Sequence, residues 1–126
     1  GIEKYVINHG KLFGDKLDEV FNQCVFAIGS LGRHRSGITE IKTLKNREYA
    51  ARGISFIYSE MDSDFDNQTY VIKAPADDTP IDVSEIIRYI DNSKVESSYI
   101  RHTVEYLSWK YQMRIVLDNV SNNSIH

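Results

Sequence analysis

The chain of 126 residues has the length of one ordinary domain, and its 41% apolar and 26% charged residues allow a core, which excludes disorder of the whole chain. A formal charge of −3 and a pI near 5.8 argue against a dedicated nucleic-acid binder. No apolar run approaches the roughly 20 residues of a membrane-spanning helix, no signal peptide is evident, and the single Cys24 permits neither an internal disulfide nor a thiolate zinc site. A single cytoplasmic domain over 1–126 is expected, without membrane association.

In chain order, Leu17, Val20, Phe21, Cys24, Ile28 and Leu31 recur at three- and four-residue steps, predicting an amphipathic helix over Asp15 to Leu31. Cys24 falls on its core face. Gly32 follows as a C-terminal stop. Alternation then predicts strands over Ile38 to Leu44, Ile54 to Glu60 and Thr69 to Ala74, with a helical turn around Arg47 to Ala51 between the first two. The acid-rich EMDSDFDNQ, with turn-forming Asp66-Asn67, reads as a hairpin joining the second strand to the third.

Asp82 with Glu85, and Ser93 with Glu96, are capping boxes. The first opens a short helix with Val83, Ile86, Ile87 and Ile90 inside; the second opens a longer helix over Lys94 to Tyr111. MRIVLDNV, Met113 to Val120, reads as a last strand and 121–126 as a frayed tail. The expected fold is α+β in two layers: an N-terminal amphipathic helix, a three-stranded antiparallel meander, two helices and a final strand.

Four stretches carry the residue types of phosphate or metal chemistry. GSLGR, Gly29 to Arg33, resembles the Gly-Ser turn of polymerase-β-type nucleotidyltransferases, which clamp two metal ions with aspartates one residue apart on the next strand. Here that strand reads Glu40-Ile41-Lys42, and a lysine does not ligate Mg²⁺, so the glycine stop of a helix is the reading adopted. The same Glu40 and Lys42 resemble the Glu-x-Lys half of the PD-(D/E)xK nucleases. That resemblance implies a Mg²⁺-dependent phosphodiester enzyme using Glu40, Lys42, Asp64 and Lys73, although the motif sits on the first strand instead of the third. DSDFDN, from Asp62, starts like a calcium loop but places Asn67 and Lys73 where glycine and a closing glutamate belong. Arg33, Arg35, Lys45 and Arg47 offer forks for phosphate or nucleic acid.

Charge is segregated along the chain. Arg33 to Arg52 holds six cations against Glu40 and Glu48, and Glu60 to Glu85 holds eight acids against Lys73. With no complete catalytic set, the favoured reading is a small protein that binds a basic macromolecule, of the inhibitor, immunity or antitoxin kind or a phage or plasmid accessory factor. Asp62, Asp64, Asp66, Asp77 and Asp78 form its acidic surface and Tyr106 and Trp109 anchor it from an aromatic helix face. A protein partner is expected, a homodimer is compatible, and no cofactor or resident metal is called for outside the Mg²⁺ enzyme alternative.

Overall fold

The computed structural model describes residues 1–124. Along the chain run α1 (Gly14–Asn22), β1 (Ala27–Ile28), α2 (Leu44–Ala51), β2 (Phe56–Tyr58), β3 (Val71–Lys73), α3 (Val83–Asn92), α4 (Ser97–Thr103) and α5 (Trp109–Asn123), with 3₁₀ turns at Ile2–Lys4, Arg33–Ser36 and Glu105–Leu107. Both strand pairs, β1 with β2 and β2 with β3, are parallel, with Ala27 opposite Phe56 and Ile57 opposite Ile72. The fold is therefore α/β with a three-stranded all-parallel sheet, and the antiparallel meander expected from the alternation is incorrect. No helix among the described residues is long and apolar enough to cross a membrane.

Parallel pairing changes what the acid-rich segment has to do. A hairpin can reverse in two residues, whereas a parallel neighbour needs a connection of about a dozen residues that returns to the sheet's starting edge. Residues 59–70 make that crossover. Its turn forms within Asp62–Gln68, where Phe65 N and Asp66 N both donate to Asp62 O at 2.9 Å, but it joins parallel strands. Phe65 is driven fully inside, its ring edge-on to Phe56 with centroids 5.3 Å apart. Phe56 lies at the centre of the core, flanked by Tyr49, Tyr58, Phe65 and Tyr70, with Ala50, Ile100 and Val104 completing it. On the opposite face, Ser55 Oγ and Tyr89 of α3 share a hydrogen bond of 2.8 Å.

Local chemistry sets the helix starts. Thr43 Oγ1 accepts from Asn46 N at the head of α2, and Asp82 accepts from Ser84 N and Glu85 N at the head of α3, as the first capping box predicts. Glu96, not Ser93, occupies the N-cap position of α4. The long helix expected over Lys94 to Tyr111 is broken in two. Ser108 turns extended and caps a new helix by accepting from Tyr111 N at 3.2 Å. Met113 to Val120 is thus helical instead of a strand, and 121–123 continue α5; 125–126 of the expected tail lie outside the described residues.

Two further expectations change. The first helix stops at Asn22, because the chain must extend at Ala27 to enter the sheet, and Cys24 is exposed instead of packed in the core. Ile38 to Leu44 forms no named strand: only Glu40 bridges Met61, in parallel, with Met61 N donating to Thr39 O at 2.8 Å.

Candidate functional site

At the carboxyl end of β2 the chain runs Ser59-Glu60-Met61-Asp62, and the sheet pleat aims Glu60 and Asp62 toward α2, on the side of Phe56 and Tyr58. Asp62 is fully buried and Glu60 is 1% exposed. From α2, Asn46 Nδ2 reaches both, at 3.4 Å to Glu60 Oε1 and 3.3 Å to Asp62 Oδ2. One helical position on, Arg47 grips Asp62 with both guanidinium nitrogens at 3.1 Å and bonds Asp64 as well. Its guanidinium also stands 5.4 Å from the Phe65 ring centroid. Burial works against the charge on Arg47, yet the two carboxylates hold it above its ordinary value.

The remaining acids of the crossover are held in the same way. Asp64 also accepts from Lys42 at 3.3 Å and from Tyr106 at 3.1 Å. Asp66 accepts from Tyr58 at 2.5 Å, from Lys73 at 3.0 Å and from Asp62 N at 3.1 Å. Partial burial alone would raise both carboxyls, but these donors bring them below the usual carboxylate range. Burial first, and then the bond to Asp66, push the Tyr58 phenol far up, so it remains a donor at any physiological pH.

The basic and acidic segments therefore meet within the fold. Lys42 and Arg47 close on Asp62 and Asp64, while His34 Nε2 and Arg35 Nε lie 2.9 and 2.8 Å from Asp78 Oδ1. Asp62, Asp64 and Asp66 point inward; Asp77 and Asp78 are exposed, Asp78 already carrying His34 and Arg35. The phosphate candidates are dispersed: Arg47 faces the crossover acids, Arg35 holds Asp78, and Lys45 and Arg33 form no ion pair among the described residues. Of the enzyme set Glu40, Lys42, Asp64 and Lys73, Lys42 pairs with Asp64, Lys73 pairs instead with Asp66, and Glu40 is exposed at its bridge to Met61. Among the described residues no three His, Cys, Asp or Glu side chains are grouped to hold a metal ion.

Among the described residues, two polar atoms of this buried cluster have no hydrogen-bond partner: Asn46 Oδ1 and Glu60 Oε2. Gly29 explains how Asn46 fits. A Cβ there would lie 2.9 Å from Asn46 Oδ1 and 3.0 Å from Ile57 O, so a side chain just past β1 would crowd Asn46 and the β2 backbone. Neither Asn46 nor Glu60 was a candidate by sequence. The available signal was a polar pair, Ser59-Glu60, continuing an apolar strand, which reads equally well as the strand's wet end.

The second region is the aromatic helix face. Tyr106 is tied to Asp64 and is 40% exposed, whereas Trp109 is 83% exposed. Trp109, Met113, Val116, Leu117 and Val120 follow i, i+4, i+7, i+8, i+11 and make a stripe about 100° wide along α5. All five are exposed, Leu117 and Val120 at 60%. α5 meets the rest of the fold chiefly at the 3₁₀ turn before it, where the Gln112 amide donates to Tyr106 O. Trp109 stands out in the sequence, whereas the remainder of the stripe falls in Met113 to Val120, whose alternation predicts a strand. Compared with known proteins, the chain matches no family model, no curated protein and no solved structure.

Proposed function

We propose that this chain is a macromolecule-binding domain that docks a protein partner through α5, with Trp109 as its anchor. The observation that carries this reading is the uncovered stripe of Trp109, Met113, Val116, Leu117 and Val120. A stripe of that width ordinarily faces a core, and contiguous exposed apolar surface is characteristic of interaction sites. Fully covering an exposed side chain of this size is worth roughly 1.5–3 kcal/mol, a gain set against the roughly 4–15 kcal/mol that association costs. Tryptophan is enriched among the residues that dominate binding energy. Support lies in this face and not in Asp62, Asp64 and Asp66, whose carboxylates are engaged internally. The phosphodiester-enzyme alternative has no comparable support, since its residues sit in separate ion pairs.

The test places a photo-cross-linking residue at 109, at 116 and, as a control, at exposed Arg88 of α3, in cells that produce the protein. The expected outcome is one product of defined mass from 109 and 116 and none from 88. The captured protein, once purified, then binds the wild-type chain stoichiometrically and at least about ten-fold more weakly after Trp109→Ala. A product of twice the chain's mass identifies the partner as a second copy. Equal cross-linking from all three positions, or affinity unchanged by Trp109→Ala, contradicts the proposal.

A further inference from the structure

Two concavities open where α4, the 3₁₀ turn Glu105–Leu107 and α5 come together. One, of about 470 Å³, has Leu44, Ala51, Val104 and Leu107 on its walls with Arg47 and Arg101 at its margin. The other, of about 360 Å³, is lined by Lys110, Tyr111 and Arg114. Both are bounded by Glu105 and Ser108, so one extended occupant can enter the two together. On α5, Lys110, Arg114 and Tyr111 stand about 70°, 110° and 170° from the axis of the apolar stripe, so the second concavity opens on the side of the helix turned away from the stripe.

Among the described residues some cations of the fold are ion-paired and others, Arg33 and Lys45 among them, are not. Arg47, Lys42, Lys73, Arg35 and Arg52 each lie against a carboxylate. Arg101, Lys110 and Arg114 have no acidic partner among the described residues. The acid that borders both concavities, Glu105, is 3.2 Å from His102 Nδ1. In a chain of net charge −3, Arg101, Lys110 and Arg114 against Glu105 give the trough formed by the two concavities a local positive balance beside aliphatic walls.

Resting on the reading of α5 as a docking element, we infer that the partner presents an acidic, apolar-rich peptide segment. Its aliphatic or aromatic side chains fill the trough and reach Trp109, which follows Ser108 at the trough's border, while its carboxylates meet Arg101, Lys110 and Arg114. The sign is the reverse of the basic partner expected from the acid-rich sequence. Aliphatic walls favour side chains over nucleobases, which stack on aromatic platforms, and a concave trough fits a peptide better than a membrane surface.

Random 16-residue peptides displayed on phage provide the probe, selected on the immobilised chain and on a triple variant, Arg101→Glu with Lys110→Glu and Arg114→Glu, whose helical circular dichroism is first matched to wild type. Peptides selected by the wild type are expected to be net acidic and rich in large apolar residues, to bind several-fold more weakly as salt rises from 50 to 300 mM, and to lose binding to the triple variant, which itself selects basic peptides. Neutral or basic peptides on the wild type overturn the inference. If those peptides still lose binding on Trp109→Ala, protein docking through α5 stands and only the acidic preference falls. Failure to enrich any peptide, or sedimentation of the chain with phosphatidylserine vesicles in place of peptide enrichment, also overturns it.

Discussion

The crossover of residues 59–70 and helix α5 invert the usual distribution of polar and apolar groups. In the first, Asp62 is buried, Asp64 and Asp66 are partly buried, and the three are answered by Arg47, Lys42, Lys73, Tyr58 and Tyr106. In the second, large apolar side chains stand in water while nearby cations have no acid. A charge buried beside its partner completes a fold, because leaving it alone is costly. An apolar stripe left open has a low local cost but remains free to be covered. Residue type alone does not mark a binding surface: the acids of the crossover turn inward, and an apolar run that reads as core is outside.

Substitutions can break this contrast. The largest effect is expected from Arg47→Ala, which strands fully buried Asp62 and leaves Asp64 with Lys42 and Tyr106; unfolding in urea should show a loss of about 3–5 kcal/mol. Lysine at 47 should recover only part of it, since a single ammonium cannot grip Asp62 with two nitrogens. Phe65→Ala follows at roughly 3–5 kcal/mol, because it empties the contact that holds the crossover on Phe56.

Acid should loosen the crossover before it affects α5. Asp64 and Asp66 are held below their ordinary values by Arg47, Lys42, Tyr106, Tyr58 and Lys73, against the opposing pull of partial burial. A depressed carboxyl contributes stability that is complete above its unfolded value, near about 3.9, and disappears as pH falls through its lower folded value. The melting temperature should therefore be level from pH 7 to about 5 and fall below about 4, less steeply in Asp64→Asn. Glu60→Gln sharpens the same point in the other direction. It removes a carboxylate oxygen that has no partner while keeping an acceptor for Asn46 Nδ2, so a gain of about 1 kcal/mol is expected in denaturant. Trp109→Ala should change the stability of the isolated chain by no more than about 0.5 kcal/mol, in contrast with Phe65→Ala.

Much of the local structure was legible from sequence, and the direction of the chain was not. The core of the first helix and the start of α3 follow from spacing and the Asp82 cap. Strands at 56–58 and 71–73 follow from alternation. Alternation says which side chains share a face but nothing about whether neighbouring strands are parallel, so the acid-rich turn was equally compatible with a hairpin and a crossover. Met113, Val116, Leu117 and Val120 also satisfy helical spacing, and a short apolar run does not decide between the two periods. The missed signal was Ser108, whose cap on Tyr111 restarts the helix out of register with α4. At the site, the expected anchors Tyr106 and Trp109 both border the α5 region. The acids Asp62, Asp64 and Asp66 were identified as a group, but their inward direction depends on the crossover.

Trp109 is the chain's single tryptophan, so its fluorescence reports directly on the docking face. In the isolated chain at low concentration the account predicts solvent-like emission, quenched by acrylamide nearly as readily as in urea. Adding a selected acidic peptide should shift that emission to the blue and protect it. A blue, protected Trp109 in the isolated monomer would contradict the account, because α5 would then already have its cover within the fold.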